Sequence, residues 1–124
     1  MYRLGTRYDF TAEHKLPFEG GEESRKHSHD YRLEIIVRGA ELDKDGFLMD
    51  IIELRRKLDV IVSHFGGNYL NEMEEMRGRT TSLENLAKVF WEMIFIETEK
   101  MKVELDSIKL WENDVNWISY DGKY

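Results

Sequence analysis

A chain of 124 residues fits one domain of ordinary size, and its 41% hydrophobic content, with three Trp, six Tyr and six Phe, suffices for a core that a disordered chain would lack. The formal net charge of −7, with no basic stretch, argues against nucleic acid or an anionic membrane as the partner. The absence of cysteine excludes a disulfide framework, a thiolate zinc site and a cysteine nucleophile, and no apolar stretch approaches the ~18 residues of a membrane span. Met1 to Gly5 carries no apolar signal core, and no repeat or composition shift marks a linker. The expectation is one cytoplasmic domain over residues 1–124.

Residues 2 to 14 alternate. Tyr2, Leu4, Tyr8, Phe10 and Ala12 share one parity, and Arg3, Arg7, Asp9 and Glu13 take the other. That pattern predicts a half-buried strand with His14 on the apolar parity. Pro17, Gly20, Gly21 and several charges make 17–26 a loop. Tyr31, Leu33, Ile35 and Val37 alternate with Arg32, Glu34 and Arg38, a second strand ending at Gly39, and His27 and His29 fall on its apolar parity. Asp43 to Gly46 reads as a turn. Phe47, Leu48, Ile51, Ile52, Leu54, Leu58 and Ile61 recur at helical spacing, which predicts a helix from about Met49 to Ser63, broken by Phe65-Gly66-Gly67-Asn68. Thr81 with Glu84 three residues on predicts a capping box. Behind it, the stripe Leu83, Leu86, Ala87, Phe90 and Ile94 carries a second helix to about Lys102. Ile108, Leu110 and Glu112 share one face of a third strand, and Trp117 to Tyr120 form a fourth after the turn signal Asn113-Asp114. The order strand, strand, helix, helix, strand, strand predicts an α+β fold: an antiparallel four-stranded sheet with both helices packed on one face.

Three imidazoles on inward faces need a reason. His14 comes from one strand, and His27 and His29 from another. Adjacent strands lie about 4.8 Å apart, so the three rings can converge. Three neutral histidines with one open position form the usual catalytic zinc pattern. Ordinary strand histidines are the alternative. His64, at a helix end before two glycines, reads first as a capping or surface residue.

At this point the residues resemble a known family. Phe10-Thr11-Ala12-Glu13-His14-Lys15-Leu16 resembles the opening motif of the 6-pyruvoyl-tetrahydropterin synthase and 6-carboxy-tetrahydropterin synthase family. His27-Ser28-His29-Asp30-Tyr31 resembles its second motif, His-Gly-His followed by an aromatic, and Gly46 to Asp50 its Gly-x-x-x-Asp segment. Asn68-Tyr69-Leu70-Asn71 resembles its Leu-Asn loop, Ser82-Leu83-Glu84-Asn85-Leu86-Ala87 its Thr-x-Glu-Asn helix start, and Ile108-Lys109-Leu110-Trp111-Glu112 its late strand. The matches keep family order over nearly the whole chain.

The resemblance implies a tunnelling-fold subunit, assembled as a homotrimer or homohexamer barrel with active sites between subunits. It implies Zn2+ on His14, His27 and His29, and a pterin substrate such as 7,8-dihydroneopterin triphosphate. Glu112 would accept hydrogen bonds from the pterin, with Ser82 and Glu84 as further substrate-binding residues. The sequence also departs from the family. Its usual base is a Cys supported by an Asp-His pair, and all three are missing. Glu23 stands where the Cys belongs, and Gly66-Gly67 fall where Asp-His would be, unless a three-residue insertion brings Ser63-His64 there. Glu23, its neighbour Glu22 and His64 are therefore the catalytic candidates, since a carboxylate of suitable pKa can act as general base. A family branch with Glu in that place is thought to cleave the substrate to 6-hydroxymethyl-dihydropterin. The expectation is thus a zinc-dependent, lyase-like pterin enzyme of folate, biopterin or queuosine chemistry. The alternative is a non-catalytic pterin- or purine-binding zinc protein of the same fold.

Overall fold

The computed structural model describes residues 1–18 and 20–123, so the loop expected over 17–26 is described except at Glu19. Strands β1 (Tyr2–His14), β2 (His27–Gly39), β3 (Glu104–Trp111) and β4 (Trp117–Tyr120) form one sheet in the order β1-β2-β3-β4, every neighbour antiparallel. Helices α1 (Ile51–Phe65) and α2 (Leu83–Lys100) fall between β2 and β3. The alternating parities decide which face the helices cover. Phe10, Leu33, Ile35, Ile108 and Leu110 meet Leu54, Leu58, Phe65, Leu86, Phe90 and Ile94 in one core. The opposite sheet face carries ion pairs such as Arg32 with Asp9 at 3.0 Å and Arg38 with Glu104 at 2.6 Å. The Tyr8 hydroxyl donates to the Arg55 carbonyl at 3.1 Å and ties β1 to α1.

Two helix starts differ from expectation. α1 begins two residues after Met49, because the Asp50 carboxylate accepts from the Ile52 and Glu53 N–H groups and fixes the N-cap there. Phe47 belongs instead to the preceding turn, its N–H donating to Asp43 Oδ1 at 2.9 Å. α2 is capped by Ser82, whose Oγ accepts from Asn85 N–H at 3.1 Å, and not by Thr81. Thr81 is buried and its hydroxyl is engaged elsewhere, so no Thr81–Glu84 capping box forms. The helix ends at Lys100, and Lys102 turns the chain with φ 58° toward β3.

α1 stops at Gly66 and Gly67. Gly67 takes φ 77°, a conformation that costs glycine little, and its N–H reaches the Thr11 carbonyl at 2.6 Å. Glu13 N–H then donates to the Asn68 carbonyl at 3.0 Å. The 67–69 segment therefore runs along the upper edge of β1 and pins the strand end that carries His14.

Candidate metal centre and substrate cleft

The β1–β2 register builds the centre. His14, the last residue of β1, pairs with His27, the first of β2, and His29 follows two residues on along the same face. The ring centroids lie 4.5 Å (His14–His27), 5.0 Å (His14–His29) and 4.9 Å (His27–His29) apart. The sequence-based convergence of the three rings is what the structure shows.

The backbone sets two of the three tautomers. His14 Nδ1 lies 2.7 Å from the Thr81 carbonyl, and His27 Nδ1 lies 2.7 Å from the Arg25 carbonyl. A carbonyl only accepts, so each Nδ1 carries the proton and each Nε2 presents a lone pair. The two Nε2 atoms of His27 and His29 stand 3.2 Å apart. His14 Nε2 is fully buried, and among the described residues no protein atom partners it. Burial holds the His14 imidazole below its ordinary pKa, the neighbouring His27 and His29 push it the same way, and the Thr81 hydrogen bond opposes them. His14 is thus kept in the neutral form that binds a metal.

A fourth donor reaches the same place. Glu23, on a 3-10 turn spanning Glu22–Ser24, puts Oε2 3.5 Å from His27 Nε2. The donor atoms of His14, Glu23, His27 and His29 all lie within 4.8 Å of one another. Three imidazole nitrogens and one carboxylate oxygen suit zinc, and an orphaned buried nitrogen aimed at the cluster fits a cation there. Glu22 shares the turn but is exposed and outside this group.

Sequence reasoning missed the clasp that holds His14. The Asn71 side chain accepts from Lys15 N–H and donates to the Lys15 carbonyl, both at 3.0 Å. The Thr81 hydroxyl sits 3.1 Å from both the Lys15 carbonyl and Asn71 Oδ1, while the Thr81 carbonyl takes His14. The available signal was Asn71 at the end of the Leu-Asn loop, although nothing in spacing alone aims it at residue 15.

The remaining candidates divide. Glu112 follows β3 directly, half-buried, with its N–H donating to the Asn116 carbonyl at 3.2 Å. Tyr31 lies next to the histidines, its ring stacked on Phe10 at 5.1 Å and 5.6 Å from that of His29. Desolvation raises the Tyr31 phenol pKa well above its usual range, and the charges of Glu112 and Glu23 add to the rise. A cavity of about 550 Å³ lies on the opposite, ion-paired face of β1 and β2, lined by Asp9, Thr11, Asp30, Arg32 and Trp111 among others, and includes none of the four donors. Ser82 and Glu84 sit at the start of α2 beside Thr81. The Ser82 hydroxyl is engaged in capping and Glu84 is exposed. His64 lies apart from the four donors, with Nε2 2.7 Å from Glu75 Oε2.

Comparison with known proteins agrees with this architecture. The family model described as 6-pyruvoyl tetrahydropterin synthase matches residues 3–123. The chain is 30% identical to a 6-pyruvoyl tetrahydrobiopterin synthase of Dictyostelium discoideum, covering 97% of this chain and 96% of that one. It is 33% identical to a dihydroneopterin monophosphate aldolase of Pyrococcus furiosus, covering 90% of each. The Caenorhabditis elegans 6-pyruvoyl tetrahydropterin synthase superposes with TM-score 0.89 at 18% identity, covering 98% of this chain and 96% of that one. A Plasmodium vivax 6-pyruvoyltetrahydropterin synthase, solved with alanine in place of a catalytic glutamate, superposes with TM-score 0.71 at 14% identity over 96% of each chain. The fold is therefore that of these synthases, and the chain belongs to the 6-pyruvoyl tetrahydropterin synthase family.

Proposed function

We propose that this chain is a zinc-dependent enzyme that cleaves the side chain of a dihydroneopterin phosphate, 7,8-dihydroneopterin triphosphate above all, to 6-hydroxymethyl-dihydropterin. One observation carries the reading: the Glu23 carboxylate lies in the same donor group as His14, His27 and His29. The Plasmodium vivax relative has a glutamate as catalytic residue, and the Pyrococcus furiosus relative is an aldolase. The first supports a carboxylate base and the second a carbon–carbon cleavage.

When bound, zinc supplies Lewis acidity toward the two side-chain hydroxyl oxygens. The protein does the rest. His14, His27 and His29 would hold the metal through Nε2, with His14 and His27 oriented by backbone carbonyls. Glu112 accepts hydrogen bonds from the pterin ring N–H and amino groups, and Ser82 and Glu84 flank the ring. Glu23 removes the proton of the hydroxyl on the second side-chain carbon. The bond between the first and second carbons breaks, its electrons pass into the pterin ring, a carbonyl forms on the departing fragment, and the first carbon is reprotonated. Lys15, Arg25 and Lys26 flank the ligands and can meet the phosphates. Glu22 and His64 stand outside the donor group in the single chain, so the base role goes to Glu23. Among the described residues, positions 2–10 of β1 and all of β4 offer free sheet edges, which supports assembly as a homotrimer or homohexamer. No helix is long and apolar enough to cross a membrane among the described residues, consistent with a cytoplasmic enzyme.

A second reading, a non-catalytic pterin- or purine-binding zinc protein, is favoured by one observation. His64 is tied to Glu75 and not to the cluster. One experiment separates the two. The zinc-loaded protein is incubated with dihydroneopterin triphosphate and the product identified by mass. Hydroxymethylpterin supports cleavage. A pyruvoyl or carboxy product replaces it with another reaction of the family, and unchanged substrate favours the binding protein.

A further inference from the structure

We infer that Glu23 is itself a metal ligand in the substrate-free protein, completing a four-coordinate His14–His27–His29–Glu23 site, and that substrate frees its carboxylate by taking its place. The inference rests on the reading of this cluster as a zinc centre, and it goes beyond that reading by giving Glu23 two successive roles.

The first argument is geometric. Ligand atoms about 2.1 Å from a zinc ion in a tetrahedron lie about 3.4 Å from one another. His27 Nε2 to His29 Nε2 is 3.2 Å, and His27 Nε2 to Glu23 Oε2 is 3.5 Å. Both edges are those of a tetrahedron, and one of them belongs to the carboxylate. A surface pairing of Glu23 with His27 alone would not bring its carboxylate near His14 and His29 as well. All four donors nevertheless lie within 4.8 Å.

The second argument is the contrast in anchoring. His14 is 2% exposed and fixed by the Thr81 carbonyl, whereas the Glu23 side chain is 55% exposed. The Glu23 backbone is held, since its carbonyl accepts from Leu16 N–H at 2.7 Å. Its carboxylate therefore hangs from a fixed point and can swing outward without moving the strands. Arg25, two residues on, supplies the carbonyl that orients His27. One short turn thus delivers a removable ligand and sets a permanent one.

The chemistry follows. Four protein ligands make a closed site, and catalysis needs an open position. Here the only exposed ligand is the one in a position to leave. A substrate oxygen exchanges for a Glu23 oxygen, and the released carboxylate is already beside the hydroxyl it must deprotonate.

The test uses the full chain, stripped of metal with a chelator and checked for folding by circular dichroism. Zinc affinity is measured by competition with a chromophoric chelator, and the visible spectrum is recorded with cobalt in the same site. Glu23→Gln is expected to lose more affinity than the roughly 10–100-fold typical of an outer-sphere partner, and to shift the cobalt bands as water replaces the carboxylate. Glu23→Asp should recover part of both, and Glu22→Gln should match the wild type in both. Wild-type affinity and an unchanged cobalt spectrum in Glu23→Gln would overturn the ligand role while leaving the three-histidine centre intact. A wild type that takes up no zinc would overturn the centre and the ligand role together.

Discussion

Asn71→Ala tests how the metal centre is held. The side chain makes two hydrogen bonds to the Lys15 main chain, both at 3.0 Å, one as donor and one as acceptor. A hydrogen bond contributes about 0.5–1.5 kcal/mol net, so losing two costs about 1–3 kcal/mol. Asn71 is exposed and the Lys15 carbonyl keeps the Thr81 hydroxyl at 3.1 Å, so water and Thr81 offset part of the loss. The expected destabilisation of the metal-free protein is therefore at the lower end, about 1–2 kcal/mol, or about 3–5 °C in Tm per kcal/mol for a chain of this size. Lys15 directly follows His14, so slack there lets the imidazole turn away from the Thr81 carbonyl. Zinc affinity should fall by about tenfold, the smaller effect of an outer-sphere partner. Urea titration of the metal-free protein and chelator competition for zinc measure the two effects separately. Asn71→Asp, which keeps the acceptor for Lys15 N–H and loses the donor, should fall between. A variant that loses stability but keeps wild-type zinc affinity would refute the positioning argument and leave Asn71 a structural residue.

Other outcomes follow from the same geometry. The wild type should carry close to one zinc per chain by elemental analysis, and His27→Ala should abolish it; a metal-free protein with full turnover contradicts the centre. Glu112→Ala should weaken pterin binding at least tenfold, about 1.4 kcal/mol, with zinc content unchanged, and unaltered affinity by calorimetry removes Glu112 from the cleft. Glu23→Gln should suppress turnover even at saturating zinc, and equal rates would shift the base role to Glu22 or His64. Because burial lowers the His14 pKa in the folded state, the unfolded chain binds the proton more readily. Stability of the metal-free protein from this group is complete above the ordinary imidazole value of about 6.5 and lost as pH falls from there through the lowered folded value. His14→Asn should flatten that part of the stability–pH curve, and an unchanged slope assigns it to other groups.

The sheet was legible because its side chains alternate with period two, and that period is the burial pattern over most of β1 and β2, the exposed Tyr2 at the start of β1 apart. The same parity carried His14, His27 and His29 inward, so the centre was readable once the strands were. The helix starts were less so. Apolar spacing continues through Phe47 and Leu48, and only the Asp50 side chain, bonding Ile52 and Glu53 N–H, decides where α1 begins. Thr81 and Ser82 are both good caps in sequence. The choice between them depends on Lys15 and Asn71, 66 and 10 residues away, which no local pattern contains. Glu23 was found by its place relative to His27. Its approach to within 3.5 Å of that ring comes from the 3-10 turn and the Leu16 bond, which are tertiary facts.

The two carbonyls that orient His14 and His27 belong to Thr81 and Arg25, and a carbonyl is present whatever side chain its residue carries. No single replacement at position 25 can delete the acceptor for His27. What can be damaged is the path of the main chain, by a proline or an inserted residue between Glu22 and His27. Tolerance to substitution at Arg25 together with intolerance to changes in loop length is the mutational signature this arrangement leaves, and a library of variants across residues 22–27 would expose it.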